Sequence, residues 1–296
     1  MKNSDLLFER TKLKQQINKY KIFLVLAICG ALALVVAPTK NTELGSYIAK
    51  IEIDGVITED DYRSEKIVDL AKNQNVKALI VKINSPGGTA YGGEQLYNAI
   101  SLVSKNKPTV SVIGTVAASG GYMTAVAGEY IVAGKTSITG SIGVILQSFE
   151  VKDLLENKLG IKPQTLKSSK FKATPSPFET MTPEIRDATN EIIMDTYSTF
   201  VNIVQTNRKL SSEDMTLVAN GKIFSGSQAL QLKLIDEIGD ENSALKWIHD
   251  VKKVSTKHKV KLVSLEKDKN PVKTLLNSFD LTRIWANFAK NNLLFM

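Results

Sequence analysis

Cysteine and histidine are nearly absent from this chain. Cys29 is the single cysteine and His249 and His258 are the two histidines of the 296 residues, so no intramolecular disulfide can form and a zinc or iron–sulfur cluster lacks ligands. Any hydrolytic chemistry is therefore expected to need no metal and no other cofactor. Phosphate-binding loops are missing as well: no G-x-G-x-x-G occurs, and Gly134-Lys135-Thr136 ends like a phosphate loop but has Glu129 where the first glycine belongs. Charge of one sign is not concentrated enough to name a partner, because the formal +8 is spread over the whole length, and nucleic acid is not expected. With 43% hydrophobic and 23% charged residues, a disordered tail and a disulfide-stapled mini-protein are both excluded.

One stretch stands out for having no charge at all. Residues Ile22 to Pro38 (IFLVLAICGALALVVAP) make about 17 residues that as a helix span roughly 26 Å, near the core thickness of a thin bilayer. Arg10, Lys12, Lys14, Lys19 and Lys21 precede it, whereas Thr39, Lys40, Asn41 and Glu43 follow. The positive-inside rule then leaves residues 1–21 as a basic cytoplasmic segment, 22–38 as an uncleaved single-pass anchor and everything beyond about residue 40 exported. A cleaved signal peptide has a shorter basic lead and a shorter apolar core. Cys29 has Ile28 where a lipoprotein needs a small residue, and is expected to be buried in the membrane.

Beyond a polar linker at 39–47, Tyr47 to Thr58 alternates apolar and polar residues, and Val76 to Asn84 reads as a second apolar strand, with a polar helix between them. A further round follows, with helical spacing of Leu96, Ile100 and Val103, a break at Pro108 and a strand over Thr109 to Val116. Such repetition predicts an α/β domain over 48–265 with a largely parallel sheet, whose sites lie at the carboxyl ends of strands. Small residues gather at two of those ends: Asn84-Ser85-Pro86-Gly87-Gly88 and Ala117-Ala118-Ser119-Gly120-Gly121. Glycines there let the backbone approach a ligand closely, and a serine between strand and helix can stand at a helix N-terminus, which suits a nucleophile beside an oxyanion hole. Tight helix packing alone also explains Ala-Ser-Gly-Gly.

If Ser119 is a nucleophile, its base is not obvious. Both histidines sit in a charged, Lys-rich stretch near the end, which argues against a Ser-His-Asp arrangement. Lysine is the better candidate, and Lys167, Lys170 and Lys172 cluster within Leu166 to Ala173. Ser169 and Lys172 also form an S-x-x-K pair, without the S-D-N and K-T-G companions of penicillin-binding enzymes. A serine hydroxyl needs a neutral amine as partner, and a lysine with a reference pKa of about 10.4 becomes one only in an apolar surround. No Asp or Glu occurs from Leu166 to Pro177.

Taken together the motifs resemble a known family, the bacterial signal peptide peptidases of the SppA type in their short single-domain form. The resemblance runs from about Ile48 to Gly239 through I-E-I-D-G-V-I, N-S-P-G-G, A-A-S-G-G-Y, T-G-S-I-G-V, the F-K-A block and G-K-I-F-S-G-S-Q-A-L-Q-L-K-L-I-D-E-I-G, in family order. It implies an α/β fold of the Clp protease/crotonase type, built from repeated ββα or βαβ units behind the N-terminal transmembrane helix, and a serine peptidase with a Ser-Lys dyad. Carried over by motif, Ser119 matches the nucleophile, Lys172 the general base, Ser141 the serine that orients the lysine, and Gly88 and Gly120 the oxyanion-hole donors. Ser169 and Lys170 depart from the residues usual before the aromatic Phe171, leaving Lys170 a rival base, and Lys233 stands where many members have glycine.

The resemblance also implies substrates and setting: remnant signal peptides and other unfolded exported polypeptides, at the bacterial cytoplasmic membrane, cut by a homo-oligomeric ring in which neighbouring protomers complete each site. The tail at 266–296, with Leu275, Leu276, Phe279, Trp285 and Phe288, is read as an amphipathic helix on lipid or on a neighbour, or as packing on its own domain. Two other classes remain as alternatives, a crotonase-like acyl-CoA enzyme and a non-catalytic membrane scaffold.

Overall fold

The computed structural model describes residues 10, 12–14, 16–27 and 45–267. Gly45–Glu266 form one compact unit. Residues 16–27 are helical, and among the described residues no helix is long and apolar enough to cross a membrane. Residues 28–38 of the expected anchor, Cys29 among them, lie outside the described residues, as does the tail from residue 268.

The unit is built on a run of alternating strands and helices: β1 (Tyr47–Ile57), α1 (Asp61–Lys72), β2 (Val76–Gly88), α2 (Ala90–Ser104), β3 (Thr109–Ala118) and α3 (Gly120–Ala125). Short strands β4 (Tyr130–Ala133) and β5 (Ile138–Gly140) follow, and later β6 (Ile223–Ser225), β7 (Glu237–Ile238) and β8 (Val260–Leu262). They form an eight-stranded sheet in the order β6-β5-β3-β2-β1-β8, with β4 pairing β3 and β7. Every pairing is parallel except β5 with β6.

A parallel sheet covered on both faces demands nearly continuous apolar strands. On β2, Leu79, Val81 and Ile83 enter one core cluster with Leu96, Ile100 and Tyr122, while Ala78 and Ile80 enter another with Ala244 and Ile248. The period of two sends successive side chains to opposite helix layers, and each fully buried Leu or Ile contributes about 1.5–3 kcal/mol. Local signals set the helix starts. Asp60 accepts from the Arg63 N–H at 3.0 Å to begin α1, and Thr89 accepts from the Gly92 N–H at 3.1 Å to begin α2.

The sequence pattern ends β2 at Asn84, but the strand runs to Gly88. A register shift in β1 between Asp54 and Val56 lets Val56 and Ile57 pair with Gly87 and Gly88, so the N-S-P-G-G motif is itself drawn into the sheet. After β5 the chain leaves the sheet over residues 141–182, an arm with one π-helical turn, Leu154–Lys158. It returns as α4 (Pro183–Arg208), capped by Thr182 and started by Pro183 at its first turn. Then come α5 (Ser212–Val218), α6 (Gly226–Gln231), held by a capping box between Ser225 and Gln228, and α7 (Glu241–Asp250).

Candidate active site

Three segments meet at the carboxyl edge of the sheet: the end of β2, the β3–α3 turn, and the residues just after β5. Ser119 lies in the turn at φ 52° and ψ −124°, a conformation that costs a non-glycine residue about 1–3 kcal/mol. Its hydroxyl makes no capping bond to α3, so it is not spent on the helix. The backbone is clamped instead, with the Ser119 N–H donating to the Gly140 carbonyl at 2.9 Å and the Ser119 carbonyl accepting from the Met123 N–H at 2.9 Å. This strained junction between strand and helix is what turns a serine out of the pleat and toward solvent.

Beside it the β2 end packs closer than a side chain allows. A Cβ at Gly88 would fall 1.8 Å from the Ile57 carbonyl oxygen, and one at Gly87, where φ is +105°, would fall 2.9 Å from the Ala118 oxygen and from Ser119 Cβ. Ser85, fully buried, accepts from the Gly87 N–H at 3.1 Å and so shapes this turn from beneath. Gly120 is the first residue of α3, where an N–H has no carbonyl four residues back to bond. The Gly88 nitrogen is 3.5 Å from where a Gly120 Cβ would stand, so the two expected N–H donors are neighbours next to Ser119.

Ser119, Gly88, Gly120 and Ser141 all line one cleft of about 620 Å³. Ser141 sits at φ 52° directly after β5, and its N–H donates to the Lys222 carbonyl at 2.7 Å. Met123 of α3 and Ile142, just after β5, line the cleft together with Tyr197 and Phe200 of α4. No charged side chain is among the lining residues.

Lys172 is therefore not brought to Ser119 within one chain. It lies exposed on the arm, outside the cleft, and the apolar surround expected of a neutral lysine is absent around it in this unit. The arm's backbone carries it there because residues 141–182 leave the sheet before the F-K-A block begins. Its two neighbours are already engaged: Lys167 pairs with Glu179, and Lys170 lies 3.6 Å from Glu184. Among the described residues the Lys172 ammonium makes no ion pair or hydrogen bond, which sets it apart from both rivals. Apolar side chains elsewhere on the arm are exposed as well: Phe149, Phe171 and the fully exposed Leu166, and Ile145, which lines the cleft, is 89% exposed.

The histidines serve the backbone instead of the cleft. His249 Nδ1 is 2.8 Å from the Val254 carbonyl and His258 Nδ1 is 3.1 Å from the Ser46 carbonyl. Among the described residues no cluster of three or more His, Cys, Asp or Glu forms that could hold a metal. Behind Ser119 the fully buried Tyr122 donates its hydroxyl to the Leu234 carbonyl at 2.8 Å, and burial pushes that phenol far above its ordinary range, so it stays a donor. Arg208 grips Asp236 through two parallel bonds of 2.9 and 2.8 Å, and Asp236 also accepts from the Ile131 N–H. Sequence reasoning did not single out Ser85, Asp236 or Tyr197. Ser85 and Asp236 lie inside quoted motifs, whereas Tyr197 had only helical spacing, which every core position of α4 shares.

Comparison with known proteins decides what this cleft belongs to. Residues 101–255, more than half of the chain, match peptidase family S49, and residues 49–146 match the Clp protease family. The chain belongs to peptidase family S49. This S49 peptidase is 35% identical over 251 residues to a protein of Methanocaldococcus jannaschii named as a protease, covering 78% of this chain and 80% of that one. It is 35% identical over 208 residues to a protease-named protein of Synechocystis sp., covering 70% and 75%. With an Enterococcus faecium protein named as signal peptide peptidase SppA it shares 30% identity over 222 residues, covering 70% and 64%. The protein is thus a serine peptidase with a Clp protease-like α/β domain, and the acyl-CoA and scaffold alternatives give way.

Proposed function

We propose that this S49 peptidase is a membrane-anchored endopeptidase in which Ser119 of one protomer is activated by Lys172 of a neighbour, within a homo-oligomeric ring. What carries the reading is the composition of the cleft. It gathers a serine on a strained turn, a second serine and two glycine N–H groups, yet no acid or base, while the one unengaged lysine of the F-K-A block stands on an arm studded with exposed apolar residues. Docking of that arm on a second copy buries the apolar residues and removes water from around the lysine, and desolvation is what lets an amine accept a proton.

In the cycle, uncharged Lys172 takes the proton of the Ser119 hydroxyl as the oxygen attacks the peptide carbonyl. The resulting oxyanion is held by the N–H groups of Gly88 and Gly120. Lys172 then passes its proton to the leaving amine as the peptide C–N bond breaks; neutral again, it takes a proton from a water that attacks the acyl-enzyme, and returns it to the Ser119 oxygen as the ester bond breaks. Ser141 accepts from the ammonium and aims it without pairing its charge. The charge-free lining favours apolar, extended chains, in keeping with remnant signal peptides and other unfolded exported polypeptides as substrates. The basic residues before Ile22 orient the catalytic unit to the outside of the cytoplasmic membrane.

Mixing tests the shared site. Ser119→Ala and Lys172→Ala proteins should each be inactive, and co-assembly of the two should restore part of the peptidase activity, since some interfaces pair an intact serine with an intact lysine. No recovery from verified mixed oligomers would overturn the reading.

A further inference from the structure

Between α5 and β6 the chain makes a short strap, residues 219–222, that touches both walls of the cleft. At one end the Tyr197 hydroxyl on α4 donates to the Ala219 carbonyl. At the other end the Gly221 N–H donates to the Ile142 carbonyl at 3.0 Å, and the Lys222 carbonyl accepts from the Ser141 N–H at 2.7 Å. In the middle Asn220 braces the turn, its side-chain oxygen accepting from the Lys222 N–H at 3.2 Å and its amide donating to the Leu217 carbonyl at 3.0 Å. Gly221 closes the turn at φ +78°.

The strap continues into the catalytic turn. Gly140, which precedes Ser141, pairs with Ile223 across β5 and β6, and its carbonyl holds the Ser119 N–H. Tyr197 is thus linked through backbone bonds to the residues on both sides of the reaction. α4 has little else to hold its middle. Ile185 near its start and Phe200 and Val204 toward its end are buried, while Ile192 and Met194 are 66% and 57% exposed.

We propose that Tyr197 is a positioning residue for this peptidase: its hydroxyl ties α4 to the 219–222 strap and so sets the spacing of Ser119 and Ser141 across the cleft. The inference rests on the reading of Ser119 as nucleophile. It requires that loss of one hydroxyl slow the chemical step while leaving substrate binding alone, because a small misplacement of reacting groups costs rate before it costs affinity. The ring of Tyr197 still forms the wall when the hydroxyl is gone.

The test uses full-length wild type, Tyr197→Phe, Gly221→Ala and the double variant, with Ser119→Ala as reference, on one unfolded apolar peptide. Rates of covalent labelling by an alkyl fluorophosphonate and thermal midpoints are measured alongside. Tyr197→Phe should lower kcat and the labelling rate by about tenfold, with KM within about twofold of wild type. Gly221→Ala strains the left-handed turn of the strap without a collision, since nothing lies within 4 Å of the new Cβ, and should do the same. The double variant should lose little more than either single one. Wild-type kcat in Tyr197→Phe, losses that multiply in the double variant, or a rise in KM with kcat unchanged would overturn the proposal. Should Tyr197→Phe fail to fold, Gly221→Ala decides alone by the same criteria. Retained activity in Ser119→Ala would instead sink the underlying reading, so the two failures are distinguishable.

Discussion

The backbone N–H of Ser119 donates to the carbonyl of Gly140 at 2.9 Å, so the turn carrying the candidate nucleophile hangs from the residue just before Ser141. Two motifs more than 20 residues apart in the chain, A-A-S-G-G-Y and T-G-S-I-G-V, are in this way one piece of structure. Ala118 pairs with Gly140 in the same register.

The serines should separate cleanly. Ser119→Ala should reduce peptide hydrolysis by at least about 10⁴-fold because the covalent route is lost. Ser169→Ala should keep most activity, since Ser169 is exposed on the arm and only its carbonyl is engaged, by the Lys172 N–H at 3.2 Å. Steady-state hydrolysis of an unfolded peptide measures both, and the reverse ranking would point to S-x-x-K chemistry.

For the base, Lys172→Arg should be as inactive as Lys172→Ala, because a guanidinium cannot release its proton at working pH. Lys170→Ala should matter far less, its partner being Glu184. Steady-state hydrolysis of one unfolded peptide by the variants checks this; an active Lys172→Arg protein names another base.

The two glycines expected to hold the oxyanion should differ sharply in tolerance. Gly88→Ala forces a Cβ to 1.8 Å from the Ile57 oxygen and should destabilise the unit by more than about 3 kcal/mol or prevent folding. Gly120→Ala places its Cβ no nearer than 3.5 Å to the facing Gly88 nitrogen and should fold. Urea unfolding of both compares them directly.

Lys233 adopts φ +58°. In that region glycine is unstrained and a Cβ costs about 1–2 kcal/mol. Lys233→Gly should therefore be more stable than Lys233→Ala by about 1 kcal/mol, opposite to the order in a helix; both lose the ion pair to Asp214, so it cancels from the comparison. Thermal unfolding of the pair settles the sign.

A topology experiment addresses the anchor. A reporter fused after residue 60 should be active only when that reporter requires export, because the Lys and Arg excess precedes the apolar stretch. Activity of a cytoplasm-specific reporter at that position would remove both the topology and the exported substrates.

How far the sequence reached follows from the range of each signal. Alternation along Tyr47 to Thr58 and Val76 to Asn84, the helix between them and the round ending in β3 were all legible, because burial on both faces of a parallel sheet is written locally in apolar residues. Ser119, Gly88 and Gly120 were legible as small residues at strand ends, Ser141 only through the resemblance of its motif, and the four share one cleft. The extension of β2 to Gly88 was not, since it depends on a register shift in β1. Neither was the Tyr197 tether, because a hydroxyl's partner 22 residues away is chosen by how α4 lies on the strap. The sequence by itself determined which residues are chemically able to act. Tertiary structure alone decided that Ser119 and Lys172 are kept apart within one chain, because the backbone leaves the sheet after Ser141 and carries the lysine out on an arm before α4 returns to close the cleft.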